Sequence, residues 1–196
     1  MNSMEIILSL CVGIGLSAAC GFRVFVPLLI LSIEARTGHV ALVPSFQWIG
    51  SDIALWAFAV ATMLEIAGYY IPWFDHLLDV IATPAAITAG IIITASMVGG
   101  MSPFLKWTLA VIAGGGAAGL VHGTTAVTRG LSTATTGGIG NPFFATIELG
   151  SSVVTSTLAV FAPVLTIVLL LLVLLLVAKK ILPKFRKRRT AQGQTG

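Results

Sequence analysis

The sequence predicts an all-α integral membrane protein whose six transmembrane helices form two inverted three-helix repeats. Three observations lead there. Of 196 residues, 57% are hydrophobic and 9% charged, against about 25% charged in a typical soluble domain, and the mean hydropathy is +1.02. The apolar runs are long and unbroken, as in Val164 to Val177, unlike the roughly ten-residue alternating segments of a membrane β-barrel. Two isolated arginines, Arg23 and Arg129, sit in segments that echo one another.

The elements follow in order. A first span covers 5–33 and is interrupted between Gly21 and Pro27, since proline removes a backbone donor and kinks or breaks a helix. A second, 52–71, begins after PSFQWIGSD, and a third, 83–99, stops at Gly99-Gly100. The fourth, 103–128, runs into a second interruption over Gly130 to Pro142, rich in threonine and glycine. The fifth covers 142–160 and the sixth 163–182, with Pro163 between them. Residues 1–100 then hold the first repeat, 101–182 the second, and 183–196 a basic, disordered tail.

Six crossings bring both termini to one side. Seven of the eleven basic residues lie in KKILPKFRKRR, from Lys179 to Arg189, and positive flanks stay cytoplasmic. The expected location is the inner (cytoplasmic) membrane, multi-pass, with both termini cytoplasmic. Contact with anionic lipid heads is a second role for the basic cluster. The net charge of +4 is gathered there, so it is no nucleic-acid signature. Cys11 and Cys20 are nine apart on one helix and cannot meet in a disulfide, so both read as packing residues. MNSMEIILSL carries an acid and no basic segment, unlike a cleaved signal peptide.

The repeat emerges when Arg23 is placed on Arg129, which puts Gly13 on Gly119 and Ser17 on Gly123. GIGLSAACGFR and GLVHGTTAVTR share a rhythm of glycine, small residues and arginine. Each arginine is followed by an apolar span with one acid, Glu65 in the first half and Glu148 in the second. Three spans per half is an odd number, so two such halves point in opposite directions, an arrangement common in transporters and channels. Ordinary packing of glycine-rich membrane helices gives the same rhythm without a repeat.

Charged side chains in hydrocarbon are costly and mark functional sites by default. Arg23 and Arg129, each beside an interruption, suit an anionic group, while Glu65 and Glu148 balance them in charge. The four residues either close a structural core or line a path for a solute or ion. His122 shares a helix face with Arg129 and is either a proton relay or a packing residue. Asp75 and Asp79, four apart in IPWFDHLLD, share a face if that stretch is helical. They form a solvated acidic face or a weak Mg²⁺ site. No nucleotide loop, HExxH, GxSxG, haem or metal-spaced Cys/His motif occurs, so no cofactor is expected outside a magnesium-dependent reading.

At IPWFDHLLD and HGTTAVTRGL the chain resembles a bacterial membrane family known only as domain-of-unknown-function family 4126. Similar proteins carry a G-x-x-A/S-x-x-G-x-R segment, an acid before I-P-x-x-D-x-x-x-D, and H-G-x-K-x-x-x-R. The resemblance maps these onto Arg23, then Glu65 with Pro72, Asp75 and Asp79, then His122, Gly123 and Arg129, and covers nearly the whole chain up to the basic tail. The chain departs from the pattern at Thr125, where lysine is usual. TATTGGIGNP replaces a Ser-Pro-Glu-Pro turn, and TPAA stands where an arginine precedes a proline pair. Fewer charges remain, which implies an altered form of any charge-dependent activity.

The functional expectation is a small transporter or channel for an anionic or polar solute, working as a homodimer in the bilayer without nucleic acid. The alternatives are a metal-dependent membrane enzyme acting on lipid phosphates at Asp75 and Asp79, and a non-catalytic subunit of a membrane complex.

Overall fold

A computed structural model describes residues 3–71 and 74–192; the side chains of 74–77, 79, 177, 178 and 180–192 lie outside that description. Every regular element among the described residues is helical: α1 (Ser3–Cys20), α2 (Phe25–Thr37), a 3₁₀ helix (Pro44–Gly50), α3 (Asp52–Tyr69), α4 (Phe74–Met97), α5 (Pro103–Leu109), a π-helical stretch (Ala110–Gly115), α6 (Gly116–Thr136), α7 (Asn141–Phe161) and α8 (Pro163–Gln192). The segment Pro103–Thr136 is one continuous helix of 34 residues.

Local chemistry sets most boundaries. Ser51 caps α3 by accepting the Ala54 N–H at 3.2 Å, and Ser102 caps α5 ahead of Pro103, because a helix start leaves amide donors that short hydroxyl side chains satisfy. Gly38 ends α2 at φ 83° and Gly137 ends α6 at φ 64°, a left-handed geometry that glycine adopts without a Cβ penalty. Pro163 opens α8 at a position where no amide donor is missed.

Helix directions follow from the contacts. Call the end of the bundle where α4 stops and α5 starts the upper end. Ser17 Oγ donates to Gly90 O at 2.7 Å, and a Cβ on Gly13 would lie 3.1 Å from Thr94 and 3.5 Å from Met97. So α1 runs antiparallel to α4 and begins at the upper end. At the start of α2, Val24 and Phe25 meet Glu65 of α3; at its end, Arg36 pairs with Asp52, the first residue of α3. So α2 runs antiparallel to α3. The chain after α2 returns to the upper end, where the Val43 N–H donates to Ser96 O at 3.0 Å. Helices α1 and α2 therefore form a hairpin that descends from the upper end, turns at residues 21–24 inside the bundle and climbs back. From there α3, α4, the α5–α6 helix, α7 and α8 alternate in direction.

Helix α1 is the central element, packed on α4, α6, α7 and α8. Its Leu16 and Cys20, with Leu31 of α2, Ile49 and Ile93, are buried in one apolar core. Close approach is made possible by missing side chains: a Cβ on Gly114 would lie 2.5 Å from Gly90 O, so the π stretch touches α4 backbone to backbone.

Among the described residues, five helices are long and apolar enough to cross a membrane: Ser3–Cys20, Asp52–Tyr69, Val80–Met97, Pro103–Thr136 and Asn141–Phe161; the apolar part of α8, Pro163–Leu176, is shorter. The molecule is a multi-pass helical membrane protein. Three expectations are corrected. Residues 5–33 are a hairpin and not one interrupted span, because the glycine-led turn reverses the chain instead of kinking it. Helix α1 consequently starts at the upper end of the bundle, and α8 runs toward the lower one. Gly130 lies inside α6, and that helix breaks only at 137–140, since one glycine in a helix costs about 1 kcal/mol and does not end it. Helix α8 continues to Gln192, through much of the stretch expected to be disordered.

Candidate functional site

The site is built on the turn between α1 and α2. The Gly21 N–H donates to Ala18 O at 3.0 Å, and the Phe22 and Arg23 N–H groups to Ala19 O at 3.1 and 3.2 Å. Only glycine fits at position 21: a Cβ would lie 2.7 Å from Ala118 O and 2.8 Å from His122 N of α6. His122 Nδ1 stands 3.3 Å from Gly21 O, so α6 holds this turn by backbone contact and by a buried imidazole.

Arg23 leaves the turn into the interior and is 1% exposed. Its Nη2 donates to Ala145 O of α7 at 2.9 Å and lies 3.9 Å from Glu148 Oε2. Arg129 approaches the same carboxylate from α6, Nε to Oε1 at 3.1 Å. Between them stands Tyr69 of α3, its ring centroid 3.9 Å from the Arg23 guanidinium carbon and 4.7 Å from that of Arg129. Two buried cations thus share one carboxylate and one aromatic ring. In low dielectric each of these attractions is stronger than in water.

Glu65 has a different partner. Its Oε1 accepts the Val24 N–H at 2.8 Å and its Oε2 the Phe25 N–H at 3.0 Å. The first amides of α2 have no intrahelical acceptor, and a carboxylate is favoured there by charge and by hydrogen bonding. The charge balance between two acids and two arginines is therefore not met by two separate pairs. Glu148 serves both arginines, and Glu65 caps the half-helix that the turn creates.

The structure brings together Arg23, Arg129, Glu65, Glu148 and His122, all buried. Pro27 is the third residue of α2 and Pro142 the second of α7; both follow a break, in first turns whose amides need no helical acceptor. Asp75 and Asp79 fall on α4, but their side chains lie outside the described residues, as does that of His76. Among the described residues, no group of three or more His, Cys, Asp and Glu side chains is placed to hold a metal. Sequence reasoning missed Tyr69, although it lies four residues after Glu65 and so shares its helix face. It also missed Ser152, one turn beyond Glu148, whose Oγ donates to Ala19 O at 3.1 Å and ties α7 to the end of α1.

Several donors in this region have no partner. Arg23 Nε and Nη1, Thr62 Oγ1 and Ser132 Oγ are buried without a hydrogen bond. Unsatisfied buried polar groups are uncommon and require an explanation.

A family model described as a domain of unknown function, DUF4126, matches residues 10–182. No curated protein matches, and no solved structure does.

Proposed function

The chain belongs to the DUF4126 family, and from that premise we propose that it is a small membrane transporter or channel for an anionic or polar solute, with Arg23 and Arg129 as the groups that meet the solute. The observation that carries this reading is the sharing of one carboxylate, Glu148, by two buried guanidiniums beside a reversed half-helix. Buried ion pairs are weak contributors to stability, and well-packed apolar residues would serve as well or better. A cluster of this composition inside an apolar protein is therefore best accounted for by a solute that uses it. The metal-dependent enzyme and the complex subunit gain no specific support among the described residues.

In this reading α3, α4, the α5–α6 helix, α7 and α8 cross the bilayer, and α1–α2 is re-entrant. The basic end of α8 faces the cytoplasm, so α1 starts at the opposite face of the inner membrane. An inverted relation between the two halves is supported by α3 and α7, which carry Glu65 and Glu148 and run in opposite directions. A homodimer is the working assembly, because so few helices enclose little volume.

The test is flux of small carboxylates, phosphate and chloride into proteoliposomes. Each guanidinium makes charge-assisted contacts of about 1.5–3 kcal/mol. Arg23→Ala and Arg129→Ala should therefore each lower flux by about tenfold or more. Absence of flux in the wild type, or flux indifferent to both substitutions, overturns the reading.

A further inference from the structure

We infer that the cluster of Arg23, Arg129 and Glu148 is entered from the lower end of the bundle, between α3 and α7, and that a hydrogen bond between Tyr70 and Thr146 is the latch on that entrance. The inference gives the transport reading a way in and rests on that reading for what passes; the entrance itself is separable from flux.

The latch stands one residue away from the cluster on both sides. Tyr70 Oη lies 2.7 Å from Thr146 Oγ1. Tyr70 directly follows Tyr69, whose ring faces both guanidiniums. Thr146 directly follows Ala145, whose carbonyl accepts Arg23 Nη2 at 2.9 Å. Separating Tyr70 from Thr146 therefore draws apart the two groups between which the Arg23 guanidinium is held. The direction of the bond is also set. Thr146 Oγ1 donates its one proton to Pro142 O at 2.9 Å, so it accepts from the Tyr70 hydroxyl.

The surroundings suit a contact that opens. Helix α3 is packed along α2, and α7 along α1, whereas α3 and α7 meet only sparsely. The seam between them is thus the thin one. Tyr70 is 43% exposed and Thr146 is exposed as well, so water competes for both hydroxyls and the net gain from their bond is small. Tyr70 stands just past the last residue of α3, where its side chain turns away without disturbing the helix. Elements that move are drawn from such weakly held regions.

The group behind the latch has something to offer. Arg23 is 1% exposed, and its Nε and Nη1 are buried without a hydrogen bond. An anion or a water admitted beside it meets unused, charged donors.

Arginine-selective labelling tests this without a known solute. The full chain in detergent is treated with phenylglyoxal and N-ethylmaleimide, and the rate of modification at each residue is read by peptide mass spectrometry. Arg36, on the surface, is the reference, and Cys20, 0% exposed in the apolar core, reports general loosening. Tyr70→Phe removes the donor and Thr146→Val the acceptor. Each should raise modification of Arg23 and Arg129 by about 2- to 10-fold relative to Arg36, the factor by which one lost hydrogen bond shifts an opening equilibrium. Cys20 should react no faster than in the wild type, and Thr146→Ser should keep the wild-type rates. Combining Tyr70→Phe with Thr146→Val should add nothing to the faster single variant, because both break the same bond. Unchanged rates in both single variants overturn the inference. So does Cys20 accelerating in step with the arginines, or a double variant whose gain is the product of the single gains. Faster arginine modification without any wild-type flux leaves the latch standing and removes only the transport reading.

Discussion

Glu148 binds Arg129 at 3.1 Å, Oε1 to Nε, with side chains only 7% and 4% exposed. The same carboxylate lies 3.9 Å from Arg23, so one acid on α7 fixes cations from the α1–α2 turn and from α6. Three elements distant in sequence are thereby held around a single charge. Removing it leaves two buried cations with their main shared anion gone.

Glu148→Gln should cost about 3–5 kcal/mol, the range for breaking one partner out of a buried pair. Thermal or denaturant unfolding in detergent reads this. Pairing Glu148→Ala with Arg129→Ala should cost less than the sum of the single changes, with a coupling of about 0.5–3 kcal/mol. Strict additivity would mean that the two charges do not interact.

Tyr69 presents its ring to both guanidiniums. Tyr69→Phe keeps that ring and Tyr69→Leu removes it. The leucine variant should be the less stable of the two by about 1–2 kcal/mol, the scale of a desolvated cation–π contact. Equal melting points for both variants would assign the role of Tyr69 to packing alone.

Gly21 and Gly130 should respond oppositely to alanine. A Cβ at position 21 meets the α6 backbone at 2.7 Å, and overpacking of that kind costs about 1–3 kcal/mol. Gly130 has open space around its Cβ position and lies within α6, so alanine there should stabilise by about 0.5–1 kcal/mol. Destabilisation by Gly130→Ala would restore the expectation of a break at that residue.

The proposed re-entrant placement of α1–α2 predicts a topology. Reporters of compartment fused after Met1 and after Gly196 should report opposite faces, with the C-terminal fusion cytoplasmic. Fusions reporting the same face at both ends would require α1 and α2 to cross as one span.

The legible part of the fold was set by composition and punctuation. Long apolar runs placed α3, α7 and the start of the α5–α6 helix close to their observed limits, because hydrophobic length and proline or glycine boundaries are local properties. Residues 21–27 also announced an interruption. Whether that interruption kinks a span or reverses it is not local. Kinked and reversed chains carry the same apolar pattern, and the choice depends on what the turn packs against. Here the α6 backbone beside Gly21 and the carboxylate over Val24 and Phe25 stabilise the reversal.

By itself, then, the sequence determined that this is a helical membrane protein and that Arg23, Arg129, Glu65, Glu148 and His122 are its unusual residues, because charge in an apolar run is conspicuous without any neighbour. Only the tertiary structure decided the partners. Glu65 caps α2 and Glu148 holds both arginines because reversing the chain at residues 21–24 exposes amide donors that a straight helix would have satisfied. Tyr69 joined the site for the same reason: its role depends on which side chains surround its ring, and spacing along one helix does not encode that.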